Sequence, residues 1–353
     1  MASPFAVRSF RFQWPADLAT SWAFEMEALI LGWYVLSTTG SVQQLVIVAA
    51  LGWLGSLFSP FFGIVGDRIG HRTLLCATRG VYALLAGVLR PSDMVMRHVL
   101  VGQTMQPGML LGALGISRTT SDTARVAGAF TGAGGVALIG MGPAYAVVTA
   151  MYVAAFFLSL GVAGAPPSTE PAKHPLADLK QGFSYVWHKP DLLGAFNMAF
   201  LVNLLAFPLF LGLLPYVAKE VYAVGQAGLG YLAASFWTGA LAGSLLVGAS
   251  HFPLRAARAM LWGGAAWFAA TLLFGQTTTF GVGLVLLFIA GFAQSYCLTP
   301  LAAVMLRSSE EAMRGRVMGV RMLAIWGLPL GLVASGPMIE RLGYSARDRK
   351  SVV

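Results

Sequence analysis

A short charged segment between two apolar runs constrains the fold of this chain more than any other feature. Residues 63–72 read Gly-Ile-Val-Gly-Asp-Arg-Ile-Gly-His-Arg, with three charges and a histidine in the last six positions. The apolar runs Leu45–Phe62 and Leu74–Leu89 flank this segment. Glycines let two helix ends approach closely, and arginines are retained on the cytoplasmic side of a membrane. The pattern therefore predicts a tight cytoplasmic turn between two membrane-spanning helices.

The composition excludes a soluble globular domain. Hydrophobic residues make up 57% of the 353 residues and charged residues only 10%, whereas soluble domains contain about 25% charged residues. An all-α polytopic membrane protein is predicted, because a transmembrane barrel would show short alternating segments. Cys76 and Cys297 lie in apolar runs and do not indicate a disulfide framework. The basic residues behind the net charge of +9 are scattered between spans, so no nucleic-acid partner is expected.

The pattern Gly-x-x-x-Asp-Arg-x-Gly-x-Arg resembles the signature loop between helices 2 and 3 of the major facilitator superfamily of secondary transporters. The residues concerned are Gly63, Gly66, Asp67, Arg68, Gly70 and Arg72. Residues 122–128, 213–218 and 314–319 resemble parts of helix 5, helix 7 and the loop into helix 11 of siderophore and drug exporters in that superfamily. The resemblance implies two pseudo-symmetric helical bundles that rock about a central site.

Four segments are expected along the chain. Residues 1–163 form an N-terminal bundle, 164–190 a cytoplasmic linker with an amphipathic helix on the membrane surface, 191–340 a C-terminal bundle, and 341–353 an atypical tail. Arg8–Arg11 is expected to lead into a first, uncleaved span at Leu18–Thr38. Most basic residues fall in cytoplasmic segments if the N terminus is inside, in agreement with the positive-inside rule. The resemblance to siderophore exporters implies the inner membrane of a bacterium.

About 10–11 spans are expected, since each span needs about 20 residues. The basic stretches at 67–72 and 90–98 leave room for one crossing between them, where the superfamily has two. Helices 3 and 4 therefore lack their outer halves, or form a short re-entrant hairpin. The residues after Gly343 do not form the twelfth span that the resemblance implies.

Two acidic residues in the first span are candidates for proton coupling. Glu25 and Glu27 are two positions apart, so on a helix they point to different faces. Ionisable groups inside a membrane are costly and indicate functional sites. One hypothesis is a proton-coupling carboxylate or a partner for a cationic substrate. The other is a structural carboxylate paired with an arginine of a neighbouring helix.

A second set of candidates lies in the predicted fifth and seventh helices. Arg118, Asp122 and Arg125 are spaced by four and three residues, so they share one helix face. They can line the cavity and gate its inner side, or form a structural ion-pair network. Asn197 and Asn203, inside the first span of the second bundle, are further cavity candidates.

The resemblance also implies a conformational latch on the cytoplasmic side. Asp93 and Arg97 would join Asp67, Arg68 and Arg72 in a charge network that closes this side in the outward-facing state. The glycines Gly63, Gly66 and Gly70 would let the helix ends approach. These residues would control conformation without contacting substrate.

The sequence favours a transporter and not an enzyme. No phosphate-binding Walker loop, metal-ligand spacing or Ser-His-Asp order occurs, so no catalytic residue, metal or cofactor is expected. The hypothesis is a monomeric secondary active transporter in the lipid bilayer, exporting a small amphipathic molecule in exchange for protons. The alternatives are a solute importer of the same fold, a truncated non-functional fragment and, less favoured, a membrane enzyme.

Overall fold

The computed structural model describes residues 4–53, 71–84, 107–162, 175–249, 256–310 and 313–342. Every regular element in these ranges is helical. The helices are α1 (Arg8–Thr39), α2 (Val42–Leu51), α3 (His71–Leu84), α4 (Pro107–Ile139), α5 (Met141–Leu160), α6 (Pro175–Trp187), α7 (Pro190–Val221), α8 (Gln226–Ala249), α9 (Ala256–Phe274), α10 (Phe280–Arg307), α11 (Arg314–Leu323) and α12 (Gly327–Leu342). Single 3-10 turns lie at Pro4–Ala6 and Ala324–Trp326.

Six helical runs in the described ranges are long and apolar enough to cross a membrane. They are α5, α7, α8, α9, α10 and the run Arg316–Arg341, which includes most of α11 and α12. Helices α1 and α4 are 32 and 33 residues long and contain the acidic and basic residues assigned above to spans. Some of the 10–11 predicted spans include residues 54–70 and 85–106, which lie outside the described residues.

The chain groups into two compact units. The first contains Met1–Leu31 and Gly52–Lys173, and the second contains Gly32–Leu51 and His174–Val353. The end of α1 and all of α2 therefore group with the C-terminal helices, although both lie in the N-terminal bundle predicted for residues 1–163. Helix α1 begins at Arg8 and continues through Pro15, so the expected lead-in at Arg8–Arg11 is the first turn of the same helix.

Two glycines end long helices at short turns. Gly40 follows α1 with φ of 64°, and Gly140 follows α4 with φ of 80°. The Gly40 N–H donates to the Leu36 carbonyl and the Gly140 N–H to the Val136 carbonyl, each at 3.0 Å. This left-handed backbone is open to glycine at little cost, and it satisfies carbonyls that a helix end leaves without partners.

In the first unit, α1 packs closely on α4. The Trp14 indole donates to the Thr120 hydroxyl at 2.7 Å, and the Trp22 indole donates to the Thr131 hydroxyl at 2.8 Å. A Cβ atom on Gly132 would lie 2.7 Å from the Met26 Cα. The absence of a side chain at this glycine therefore sets the distance between the two helix backbones.

In the second unit, α10 packs between α8 and α9. A Cβ on Gly291 of α10 would lie 1.9 Å from the Phe236 carbonyl oxygen of α8, and one on Gly239 of α8 would lie 2.0 Å from the Phe288 carbonyl oxygen. Small residues allow membrane helices to pack backbone against backbone, where van der Waals contacts replace the hydrophobic effect. The α8–α10 contact therefore depends on glycine in both helices.

Two serine hydroxyls bond across the same α8–α10 contact. Ser235 of α8 donates to the Leu284 carbonyl of α10, and Ser295 of α10 donates to the Ala240 carbonyl of α8, both at 2.7 Å. Interhelical bonds of this kind are available only where backbones lie close together. The two hydrogen bonds fix the relative position of α8 and α10, which the glycines allow to approach each other.

Helix α7 is interrupted by π-helical turns at Val202–Ala206, Leu209–Leu213 and Val217–Val221. Pro208 lies between the first two turns and has no N–H to donate to the carbonyl four residues earlier, which belongs to Leu204. A Cβ on Gly331 of α12 would lie 2.1 Å from that carbonyl oxygen. The irregular region of α7 is therefore covered by a glycine face of α12.

Helix α6 is fixed to the ends of α10 and α11. A Cβ on Gly182 would lie 3.0 Å from the Arg316 carbonyl oxygen of α11. Lys189, two residues after the end of α6, donates to the Tyr185 hydroxyl at 2.5 Å and to Glu310 Oε1 at 3.0 Å. The Tyr185 hydroxyl also donates to Glu310 Oε1 and accepts from the Glu310 backbone N–H, both at 3.1 Å.

The charges of this cluster support each other. The hydrogen bonds from Lys189 and then Tyr185 hold the pKa of Glu310 below its ordinary value. The hydrogen bonds to Tyr185 and then Glu310 raise the pKa of Lys189 above its ordinary value. The stabilisation from Glu310 is present above the ordinary carboxyl pKa and is lost as the pH falls through the lowered value. The stabilisation from Lys189 is present below the ordinary lysine pKa and is lost as the pH rises through the raised value.

The glycine contact between α8 and α10 predicts that adding one methyl group at position 291 lowers the stability of the fold. Gly291→Ala should lower the unfolding temperature in detergent, because overpacking a close contact costs about 1–3 kcal/mol. Gly281→Ala in the same helix is the matched control, because no atom lies within 4 Å of its added Cβ. Equal unfolding temperatures for the two variants would contradict the packing described here.

The attachment of α6 predicts a local effect of charge removal. Glu310→Gln, which mimics the protonated carboxyl, should increase hydrogen exchange in residues 175–187 at neutral pH. Glu340→Gln, an exposed charge change on α12, should leave that exchange unaltered. The wild-type attachment should persist from about pH 5 to about pH 10 and weaken below the carboxyl range. Equal exchange in the two variants would rule out a role for the cluster.

Candidate functional site

A buried ion pair joins three helices of the first unit. Arg79 Nη2 of α3 lies 2.6 Å from Asp17 Oδ1 of α1, and the two side chains are 1% and 5% exposed. Arg79 Nη1 also donates to the Ser159 hydroxyl of α5. Breaking a buried pair leaves an uncompensated charge, which costs about 3–5 kcal/mol. The pair therefore holds α1, α3 and α5 together at one level of the unit.

Glu27 of α1 points towards α5. Its Oε2 atom accepts a hydrogen bond from the Tyr152 hydroxyl at 2.7 Å, and both residues are buried. Tyr152 belongs to an apolar cluster whose other buried members are Ala23, Met26, Ile30, Ala144 and Val148. The carboxyl group is therefore bound to a phenol in the apolar interior of the first unit.

Glu25 points towards a different helix. Its Cβ atom lies 2.7 Å from the position that a Cβ on Gly128 of α4 would occupy, and Glu25 is buried. The two-residue spacing thus directs the two side chains to different helices, with the stem of Glu25 against α4 and the carboxyl group of Glu27 against α5. A glycine at position 128 makes room for the stem of Glu25.

Asp122 and Arg125 form an ion pair within α4. Arg125 Nη1 lies 3.6 Å from Asp122 Oδ1, with the Asp122 side chain 2% exposed and the Arg125 side chain 21% exposed. Arg118 belongs to the same helix, but its side chain lies outside the described region of the structure. The predicted roles of these residues, cavity lining and gating or structural pairing, stay predictions.

The two candidate asparagines of α7 differ in environment. Asn197 is exposed and shares its helix face with exposed Gly194 and Leu201. Asn203 is half-buried, and its Nδ2 atom donates to the Ala199 carbonyl of the same helix at 2.8 Å. Asn197 therefore presents its amide on an open face, whereas Asn203 satisfies some of its hydrogen bonding within α7.

The predicted latch lies almost entirely outside the described residues. This applies to Gly63, Gly66, Asp67, Arg68, Gly70, Asp93 and Arg97. Arg72 belongs to the first turn of α3, and its side chain is also outside the described region. The latch stays a prediction.

Sequence reasoning missed Asp17, Tyr152 and Ser159, although a pattern for the first of them was present. Gln13, Asp17 and Thr20 are spaced by four and three residues, and all three are buried on one face of α1. Such a polar stripe on a membrane helix indicates partners on neighbouring helices. Tyr152 and Ser159 are seven residues apart on α5, which also places them on one face.

The chemistry available in the first unit is proton exchange and charge pairing. Carboxyl, phenol and guanidinium groups are brought together on the faces of α1, α3 and α5. Among the residues that the structure describes, no group of three or more His, Cys, Asp or Glu side chains is placed to hold a metal ion. The Asp17–Arg79 contact pairs two opposite charges, and the Glu27–Tyr152 contact joins a carboxyl group to a neutral hydroxyl.

Known proteins resemble this chain in sequence. The family model for the Major Facilitator Superfamily matches residues 15–334. The Enterobactin exporter EntS of Shigella flexneri is 30% identical over 155 residues, which are 44% of this chain and 36% of that protein. The chain thus aligns with little more than a third of the length of this relative. Its presence among the matches agrees with the resemblance to siderophore exporters.

Solved transporter structures share the fold. The nucleoside transporter NupG has a TM-score of 0.71 at 13% identity, covering 97% of this chain and 94% of that chain. The human organic anion transporter MFSD10 (TETRAN) has a TM-score of 0.65 at 17% identity, covering 97% and 96%. This likeness confirms the predicted all-α membrane fold. Because the family model matches residues 15–334 of the 353, the chain belongs to the Major Facilitator Superfamily.

Proposed function

We propose that this protein is a secondary active transporter that exports a small amphipathic molecule in exchange for protons by alternating access. It acts as a monomer in the cytoplasmic membrane of a bacterium, with its N terminus inside. Membership of the superfamily supports transport, and the similarity to an enterobactin exporter supports the outward direction. A solute importer of the same fold would differ in the direction of flux.

The observation that carries alternating access is the seam between Gly32–Leu51 and helices α7 and α12, called here the 32–51 seam. A Cβ on Gly336 of α12 would lie 2.9 Å from Val46 Cγ2 and 3.3 Å from the Gln43 Cα. A Cβ on Gly32 would lie 3.0 Å from Pro215 Cγ of α7. Residues of the first sequence half therefore close tightly onto helices of the second half.

The middle of the 32–51 seam is also built on a glycine. A Cβ on Gly212 of α7 would lie 2.2 Å from Leu332 Cδ2 of α12 and 3.3 Å from the Ala49 Cβ of α2. These glycine contacts join small and aliphatic groups, which gain dispersion energy on closing. Such a seam is suited to repeated opening and closing at one end of the transport path.

Proton coupling is assigned to the acidic residues of α1, with Glu27 as the first choice. Its hydrogen-bond partner is the Tyr152 hydroxyl, which can donate to a carboxylate or to the carbonyl oxygen of a protonated carboxyl. The proton of Glu27 can therefore come and go while the bond to α5 persists. Glu25, packed against Gly128, is the second choice.

The predicted latch belongs to the opposite, cytoplasmic end of this scheme. Asp67, Arg68 and Arg72 with Asp93 and Arg97 would hold that end closed when the 32–51 seam is open. Substrate contact in the first unit is assigned to Arg118, Asp122 and Arg125, and substrate contact in the second unit, taken by itself, to Asn197 and Asn203. Both assignments rest on the family resemblance together with the charges of these residues.

A disulfide across the 32–51 seam tests alternating access. A Cβ on Gly336 lies 3.7 Å from the Gln43 Cβ, within the range of about 3.5–4.5 Å that disulfides need. In a background without Cys76 and Cys297, oxidised Gln43→Cys/Gly336→Cys should lose transport, and reduction should restore it. The measurement is uptake of enterobactin or ethidium by inside-out vesicles with an acidic interior.

The single-cysteine variants are the controls and should transport equally under oxidising and reducing conditions. Full transport by a protein with a verified crosslink would contradict opening of this seam. If wild-type vesicles accumulate neither compound, the result favours the non-functional fragment. If substrate leaves inside-out vesicles when protons flow into the cytoplasmic-side medium, the importer is supported.

Substitution of the carboxyl groups tests proton coupling. Glu27→Gln retains an oxygen acceptor for Tyr152 but has no titrating proton. It should retain substrate exchange without a gradient and lose accumulation driven by the pH gradient. Glu25→Gln in the same assay distinguishes the two carboxyls. Glu340→Gln, which removes an exposed charge on α12, is the charge-matched control and should behave as wild type. Gradient-driven accumulation by Glu27→Gln at the wild-type level would exclude Glu27 from coupling.

A further inference from the structure

Helix α6 presents an aromatic face that the described residues leave partly exposed. Phe183 and Trp187 are 41% and 60% exposed, and their rings stack with centroids 6.0 Å apart. A neighbouring side of the helix is in contact with protein, since Gly182 lies against α11 and Val186 is 1% exposed. Exposed large aromatic side chains at helical spacing mark an interaction surface.

The position of Phe183 relative to α7 indicates its depth. The Phe183 ring lies 6.2 Å from the Phe196 ring, edge to face. Phe196 is about 9 Å along α7 from its start at Pro190, at 1.5 Å per residue. The 32 residues of α7 extend about 48 Å, whereas the hydrocarbon core is about 30 Å thick. With the excess shared between its ends, Phe196 lies at the edge of the hydrocarbon.

The remaining exposed residues of α6 divide the helix into separate faces. Gln181 of α6 and His188, which follows the helix, are exposed on the side away from the aromatic pair, where water is expected. Lys180 is exposed three residues before Phe183 and therefore lies beside the aromatic pair, with exposed Ser184 between it and the water side. A lysine in this position can keep its ammonium among headgroups while its stem lies on apolar surface.

We propose that Phe183 and Trp187 insert into the lipid leaflet at the Pro190 end of α7, at the boundary between headgroups and acyl chains. Amphipathic helices bind at this depth, and aromatic rings are enriched there. The occupant is lipid because the aromatic face continues onto a helix that itself crosses the membrane. Helix α6 is thus attached to the rest of the protein on one side and to the membrane on another. Gly182 and the Tyr185–Lys189–Glu310 cluster attach it to α10 and α11, and the two aromatic rings set its depth in the lipid leaflet.

The insertion is testable in the full chain without a transport assay. Trp187→Cys, Phe183→Cys and, as control, Gln181→Cys are made without Cys76 and Cys297 and carry a nitroxide label. The protein is placed in nanodiscs of phosphatidylethanolamine and phosphatidylglycerol. At positions 183 and 187 collisions with oxygen should exceed those with a water-soluble nickel chelate, and at 181 the order should reverse.

Two results would overturn the insertion. Labels at 183 and 187 that are as accessible to nickel as the label at 181 would place the rings in water. Labels inaccessible to both reagents would mean that protein covers this face. A second measurement serves if the labelled variants fail to fold. The fluorescence of Trp187 is obtained as the difference between the wild type and Trp187→Phe, and lipids brominated on their acyl chains should quench it. Absence of quenching of that emission would also reject lipid as the occupant.

Discussion

Close approach of helix backbones is the constraint on which the rest of this structure depends. Lipid is as apolar as leucine, so helices in a bilayer gain little from burying apolar side chains against each other. The contacts in this protein use glycine instead, as Gly291 and Gly239 do between α8 and α10 and Gly132 does between α1 and α4. Only at these distances can hydroxyls such as that of Ser295 reach a carbonyl on the neighbouring helix.

The acidic residues of α1 illustrate two ways of burying a carboxyl group. Asp17 is bound to Arg79, so protonating Asp17 would leave a buried guanidinium without its counter-charge. Glu27 accepts a hydrogen bond from a neutral phenol, which serves either protonation state. The first arrangement penalises a change of charge and is suited to holding helices together. The second permits a change of charge, which is why we assign proton coupling to Glu27 and not to Asp17.

Sequence reasoning could predict the helices and the superfamily because both depend on local pattern. Apolar runs long enough to span a membrane predicted the helices, and the segment at 63–72 indicated the superfamily. It could not predict that Asp17 meets Arg79, since the two are 62 positions apart and pairing is set by how α1 and α3 pack. It also could not predict the π-helical turns of α7, or that a glycine of α12 would lie against the Leu204 carbonyl in the first of them, because that contact is set by how two distant helices pack.

Two glycine contacts of this protein differ in a way that bears on the alternating access we propose. The α8–α10 contact adds serine-to-carbonyl bonds of 2.7 Å to backbone packing. Separating it would expose bonded carbonyls to hydrocarbon, where each lost bond is expensive. In the 32–51 seam, Lys219 reaches the Leu36 carbonyl at 3.4 Å, while Gly336 and Gly212 contact aliphatic groups. Opening this seam forfeits mainly dispersion contacts, which lipid or water can replace to some extent. Movement is therefore expected where glycine meets aliphatic side chains, and rigidity where glycine brings hydroxyls to carbonyls.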